Sequence, residues 1–440
     1  MVMLRIVTTV TAAGALGKIC STLGVAARET SPFRSSDYHS REHQLGSNDI
    51  RTQVTPSVPL VVNTWTEDFA SATKQAWSVI SSAIETEGTS ALLDAVEAGC
   101  NVCEDIQCGG SVGYGGHPDS RGEVTLDSMV MYGPLHSVGA VGCLRRIKNA
   151  ATVARAVMEH TEHTMLAGEG ATAFAKMMGM EEEDLGTAAS RRSHESWVAG
   201  QCQPNYYRHF DHDEDSCPPY ANPSAWHLQE TGAMRGEFSE ENALIMNNAF
   251  EEERQLPHAT DARLLIAEDN HDTIGMVIID QRGDLACGTT TNGVANKIAG
   301  RVGDSPVPGA GCYVENDVGG AAATGDGDVM MRFLPSYRAV ESLRNGASPA
   351  DACTEALCEI AKFYPTFGGA LICVNKEGEH GAAHHGLSFS YSYQGPGDDG
   401  PQIGHAVKAD ERACSLVGSI KNTTNGIRSH ANRPIKQKDG

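Results

Sequence analysis

The residues His271-Asp272-Thr273-Ile274-Gly275-Met276 set a hydroxyl directly after a carboxylate, at the head of an apolar run in the middle of the chain. A threonine hydroxyl is a weak nucleophile and needs a base. Cutting the peptide bond before Thr273 would supply one, because the freed α-amine titrates near about 7.7–8.0 and sits on the same residue. Asp272 supplies a carboxylate next to the bond that would have to break. The run Thr-Ile-Gly-Met-Val-Ile-Ile-Asp is short and β-branched, which predicts a strand. A β-branched residue opening a strand is the plain alternative for Thr273 taken alone.

A second group of residues fits an amino-acid ligand. Gly300-Arg301-Val302-Gly303-Asp304-Ser305-Pro306 carries a cation and an anion three positions apart in a glycine-rich loop. A free amino acid presents a carboxylate and an ammonium on one carbon. Arginine offers a planar fork to the first and aspartate accepts from the second. A loop-stabilising salt bridge between the two is the competing reading.

With Gly288-Thr289-Thr290-Thr291-Asn292-Gly293, Ala323-Thr324-Gly325-Asp326-Gly327-Asp328, Pro59-Leu60-Val61-Val62-Asn63-Thr64-Trp65 and Arg332-Phe333-Leu334-Pro335-Ser336-Tyr337, these runs share an order and spacing. The chain thereby resembles the glycosylasparaginases, amidases of the N-terminal nucleophile superfamily, from about Pro59 to about Leu387. The resemblance implies an α+β fold, a four-layer αββα sandwich, and cleavage of the amide between an asparagine side chain and N-acetylglucosamine after self-cleavage at Asp272-Thr273. It makes Thr273 nucleophile and base, Thr291 a hydroxyl that bonds and tunes it, and Thr324 with Gly325 the oxyanion hole. It assigns Arg301, Val302, Gly303, Asp304, Asp326 and Gly327 to substrate binding, with Trp65 lining the cleft; a core tryptophan is the alternative for Trp65. It implies no cofactor, and a heterodimer of α and β chains that pairs into an (αβ)2 assembly. An isoaspartyl peptidase or plant-type asparaginase of the same superfamily is the second reading, and an uncleaved binding protein the third.

The elements that must position these residues read as follows. Strands are expected at Val58–Thr64, Val124–Tyr132, Gly369–Asn375 and Gly381–Ser392. Helices are expected from Asp68, from Ser90, over Val138–Glu159, over Leu334–Asn345 and after Ser348, where Pro349 suits the first helical position. A strand–hairpin–strand follows Thr273, turning at Gly283-Asp284. The expected organisation is a signal peptide over residues 1–27, a linker over 28–56, an α-chain part over 57–272, a β-chain part over 273–395 and a weakly structured tail over 396–440. The acidic stretch 204–270 would lead into the cleavage bond.

Forty per cent of the 440 residues are apolar, enough for a buried core, and the formal charge of −22 argues against nucleic acid. Arg5 precedes an apolar run, which reads as a secretory signal, with lysosomal delivery or secretion as the destinations and no membrane attachment once the signal is removed. Thirteen cysteines favour an oxidising compartment. By the resemblance, Cys103 pairs with Cys108, Cys202 with Cys217, and Cys353 with Cys373, while a further family bridge is lost at His384. Cys100, Cys143, Cys287, Cys312 and Cys358 are expected free and buried. His160 with His163, His209 with His212, and His384 with His385 lack the further ligands a metal needs, so no metal site is expected.

Overall fold

The computed structural model describes residues 58–82, 90–207, 217 and 273–415. Every described element belongs to one compact unit beginning at Val54. The expected signal and linker, most of the acidic stretch with His209 and His212, Asp272, and residues 416–440 lie outside the described residues.

Helices and strands mix throughout. The first part holds β1 (Leu60–Thr64), α1 (Ala70–Ser82), α2 (Ser90–Ile106), β2 (Thr125–Tyr132), β3 (Ser137–Arg145), α3 (Ala150–His160), β4 (Met165–Ala167), α4 (Gly168–Met177) and α5 (Ala188–Ala199). The second holds β5 (Ile274–Ile279), β6 (Leu285–Thr291), β7 (Cys312–Glu315), β8 (Gly319–Gly325), α6 (Gly327–Met330), α7 (Pro335–Arg344), α8 (Pro349–Ala361), β9 (Gly369–Asn375), β10 (His380–His385), β11 (Ser390–Gln394), β12 (Gln402–His405) and β13 (Val407–Lys408). One sheet runs β12-β11-β1-β5-β6-β2-β3-β4 and the other β13-β10-β9-β8-β7. Strands from both halves of the chain therefore share the first sheet, with β1 and β6 flanking β5.

Strand alternation decides what each face meets. Ile274, Met276 and Ile278 of β5 join a cluster with Ala72, Leu92 and Val96 of α1 and α2. Val277 and Ile279 point the other way, into a cluster with Val314, Ala322 and Ile372 of the second sheet. Ala321 and Ala323 of β8 pack with Val340, Leu357 and Ile360 of α7 and α8. Thr273 has the parity of Val277, and Thr324 that of Ala322, so both belong to the space between the sheets.

Three expectations are corrected. The run from Val138 is not one helix: β3 ends at Arg145 and α3 begins at Ala150. The reading over 381–392 merges two strands, β10 and β11, that lie in different sheets. The tail is structured well past Gly395. β12 pairs antiparallel with β11, β13 pairs in parallel with β10, and a helical turn follows at 411–415.

The three expected disulfides are present. Cys287, Cys312 and Cys358, expected free, are bonded instead. Cys287 of β6 joins Cys312 of β7 across the two sheets, and Cys358 of α8 joins Cys414. Cys100 and Cys143 are free and buried.

Candidate active site

Thr273 is buried at the start of β5, where three hydrogen bonds organise it. Its backbone N–H donates to Thr324 Oγ1 at 3.2 Å, and its carbonyl accepts from Thr64 Oγ1 at 2.9 Å. Thr64 Oγ1 in turn accepts from the Gly275 N–H at 2.8 Å. The Trp65 indole N–H also donates to Thr324 Oγ1, at 3.2 Å, and its ring meets Phe389 edge-on at 5.0 Å. A hydroxyl has two acceptor lone pairs and one proton. With Trp65 and Thr273 filling both acceptor positions, the Thr324 proton is left to donate. Thr324 thus has the polarity an oxyanion donor needs.

Small residues let this happen. A Cβ on Gly275 would lie 3.0 Å from the Ala322 Cβ, so glycine lets β5 press onto β8. Gly325 has φ +135°, and a Cβ there would fall 2.5 Å from Gly369 Cα. Only glycine fits that turn out of β8.

Thr291 lies directly across from Thr273 when the β5–β6 register, Ile274 opposite Thr290, is continued by one pair. Its hydroxyl does not make the bond expected with Thr273. It donates to the Ser111 carbonyl at 3.5 Å and accepts from the Gly293 N–H at 3.0 Å.

Arg301, Asp304 and Gly327 converge. A Cβ on Gly327 would be 2.5 Å from Asp304 Oδ1 and 3.2 Å from an Arg301 Nη. The salt bridge of Arg301 is with Asp328, not Asp304: Nε and Nη2 reach its two carboxylate oxygens at 3.2 and 3.0 Å. The other edge of the fork, Nη1, lies beside Gly293 and Gly303, where a Cβ would intrude to 2.9 and 2.8 Å. Glycines thus leave room beside that edge. Asp304 is buried, and its Oδ2 has no hydrogen-bond partner among the described residues. Burial pushes its carboxyl up to about 7, against the pull of Arg301. Val302 packs toward Gly142 of β3, and Asp326 caps α6 by accepting from the Val329 N–H.

Several residues around the site carry no signal in linear spacing. Asp127 of β2 accepts from the Gly303 and Cys143 N–H groups at 2.8 and 2.7 Å, fixing the arginine loop. The buried Lys297 ammonium donates to the Asn292 carbonyl, and burial lowers its pKa to about 8. The Tyr206 hydroxyl donates to the Ala295 carbonyl at 3.1 Å, tying the end of the first part to the same turn. Among the described residues, no group of three or more His, Cys, Asp or Glu could hold a metal ion.

A model of the asparaginase family matches residues 49–399. A rat protein named N(4)-(beta-N-acetylglucosaminyl)-L-asparaginase is 50% identical over 327 residues, covering 74% of this chain and 84% of the relative. The mouse protein of that name is 49% identical over the same shares. A Drosophila melanogaster protein, a putative enzyme of that name, is 46% identical over 355 residues, 80% of this chain and 83% of the relative. This chain belongs to the asparaginase family. It is a hydrolase of that family, and the site above lies inside the matched stretch.

Two predictions arise here. Arg301→Lys keeps the charge and loses the fork. Losing a charge-assisted bidentate contact should raise KM for an amino-acid-like substrate about ten- to a hundredfold. The melting temperature should change little, because lysine keeps a cation beside Asp328, whose carboxylate is 43% exposed. An unchanged KM would return Arg301 to a structural role.

The second concerns pH. Glu104 of α2 is fully buried, accepts from the Thr290 hydroxyl and the Ala151 N–H, and is raised by burial to about 8. Glu104 and Asp304 hold protons more tightly folded than unfolded. Their stabilisation is complete below the unfolded pKa and is lost as pH rises through the folded values. Burial lowers His117 to about 4, so it acts oppositely, but chiefly below its unfolded value of 6.5. The melting temperature should therefore fall between about pH 6.5 and 8, and Glu104→Gln should flatten that slope. A slope unchanged by Glu104→Gln would remove Glu104 from the account.

Proposed function

We propose that this chain hydrolyses the amide bond joining an asparagine side chain to N-acetylglucosamine in the degradation of glycoproteins, using Thr273 as an N-terminal nucleophile released by self-cleavage after Asp272. The observation that carries the reading is the convergence at Thr324 Oγ1, which takes hydrogen bonds from both Thr273 and Trp65 and keeps its own proton for donation. The shared name of the rat and mouse relatives supplies the substrate class.

In this mechanism the Thr273 α-amine takes the Oγ proton as Oγ attacks the side-chain carbonyl carbon. The oxyanion is met by the Thr324 hydroxyl and the Gly325 N–H. The C–N bond breaks, the glycosylamine leaves with the proton held by the α-ammonium, and a β-aspartyl ester remains on Thr273. The amine then deprotonates a water that cleaves the ester and frees aspartate. Arg301, through its Nη1 edge, holds the α-carboxylate, and the unpaired Asp304 Oδ2 accepts from the α-ammonium. Gly303 and Gly327 give that ligand room, Val302 and Asp326 shape the loops that hold it, and Trp65 walls the cleft. Thr291 stands opposite the nucleophile on the adjoining strand, its hydroxyl holding the Ser111 and Gly293 backbone.

The helix, sheet, sheet and helix packing, with its three apolar clusters, supports a four-layer αββα sandwich. Interleaving of β1, β5 and β6 in one sheet supports α and β chains that stay together after the cut, and we assign them to an (αβ)2 assembly. The five disulfides among the described residues support a secretory route ending in the lysosome. No described helix is long and apolar enough to cross a membrane.

The test is aspartate release from free N4-(β-N-acetylglucosaminyl)-L-asparagine, with a β-aspartyl dipeptide as comparator. Preferred turnover of the glycosylated substrate is expected. Comparable rates on both would move the protein toward the isoaspartyl peptidases, and no turnover of either would favour a binding protein.

A further inference from the structure

We infer that Thr64 is a positioning residue for the nucleophile, holding Thr273 in place once its N-terminal peptide bond has been cut. The inference rests on the proposed Thr273 chemistry.

β1 and β5 pair antiparallel from Leu60 opposite Ile279 to Asn63 opposite Met276. Continued by one step, the ladder would set Thr64 opposite Gly275. There the Thr64 side chain takes over: its hydroxyl donates to the Thr273 carbonyl at 2.9 Å and accepts from the Gly275 N–H at 2.8 Å. Thr64 is fully buried, so water cannot substitute without rearrangement. The neighbouring Trp65 turns away from the strand with φ +65° and bonds Thr324. The end of β1 thus touches the nucleophile from one side and its oxyanion donor from the other.

The consequence follows from connectivity. Before the cut, Thr273 is held by a peptide bond on each side. Afterwards only its carbonyl side is tethered, and its N-terminus and side chain can swing about that end. Pinning the Thr273 carbonyl and the Gly275 N–H fixes the peptide plane that carries the Thr273 Cα, and the bond from the Thr273 nitrogen to Thr324 limits rotation about Cα–C, which together set the position of Oγ. Displacing a reacting atom by about 1 Å can cost about a hundredfold in rate. Thr64 touches no substrate in this account, so its loss should lower kcat and leave KM alone.

Thr64→Val keeps the shape and removes both hydrogen bonds, and Thr64→Ser keeps both bonds and removes a methyl. Both proteins are purified, resolved on a gel for the extent of cleavage, and assayed on glycosyl-asparagine with thermal melts alongside. Thr64→Val should lower kcat of the cleaved fraction about ten- to a hundredfold, with KM within about twofold. Thr64→Ser should stay within about threefold of wild type on both, since it keeps the tether. If Thr64→Val does not fold, Thr64→Ala, which leaves space instead of a methyl against polar groups, should show the same kcat loss. Failure of Thr64→Val to cleave while Thr64→Ser cleaves would overturn the proposal, because it would place the work of Thr64 before the cut. Wild-type kcat in Thr64→Val overturns it, as does an equal loss in Thr64→Ser, or a rise in KM at constant kcat. Absence of wild-type turnover would instead strike the proposed function.

Discussion

Thr273→Ala is expected to leave a single uncut chain and to reduce aspartate release by at least about four orders of magnitude, the scale on which removing a nucleophile acts. The variant should fold. Thr273 contributes only backbone groups to the hydrogen bonds that anchor it, one to Thr324 and one from Thr64, and alanine preserves both. Thr273→Ser should be cleaved more slowly and retain some turnover, because a hydroxyl remains. Gel electrophoresis and an aspartate assay read both outcomes. An alanine variant that still splits at this bond without added protease would remove Thr273 from the processing step.

Blocking either end of the amino-acid part of the substrate should be nearly as damaging. Glycosylated asparagine with its α-amine acylated leaves Asp304 without an ammonium donor, and Asp304 Oδ2 has no hydrogen-bond partner among the described residues. Amidation of the α-carboxylate leaves the free edge of Arg301 facing a neutral group. An uncompensated buried charge costs about 3–5 kcal/mol. The expected loss in kcat/KM is therefore roughly a hundredfold to a few thousandfold. The enzyme would then act only after proteases have freed the asparagine at both ends. Comparable rates on free and blocked substrates would contradict the roles given to Arg301 and Asp304.

Strands buried on both faces were the legible part of the fold. β5 and β9 are short, apolar and β-branched, and they form where those runs predict. β3 is hidden in the sequence because its Val-Gly-Ala-Val-Gly-Cys-Leu run shows no polar alternation and leads straight into a helix. Its glycines serve packing: a Cβ on Gly139 would fall 2.0 Å from the Ala154 carbonyl, so glycine there lets α3 lie close on β3. The bond from Cys287 to Cys312 depends on how two sheets stack, and the bond from Cys358 to Cys414 on where a polar tail returns. Neither is written in local periodicity. The tail was misjudged because β12 and β13 are short and exposed, held by edge pairing and by that last disulfide.

The site was legible where chemistry is carried by residue type in a local motif. Thr273 bonds Thr324, and Arg301 lies near Asp304, each pair drawn from runs that residue type alone singled out. What linear spacing missed are the groups that hold them. Thr64 is 209 positions from Thr273, and Asp127 is 176 from Gly303. Asp328 took the salt bridge that three-residue spacing offered to Asp304, because α6 turns its first residues back over the arginine loop.

N-terminal sequencing of the smaller band of the purified wild-type protein tests the central claim most directly. That band should begin Thr-Ile-Gly-Met-Val, with Thr273 as its first residue. A protein that turns over glycosyl-asparagine as one intact chain, or whose smaller fragment begins at another residue, would contradict it.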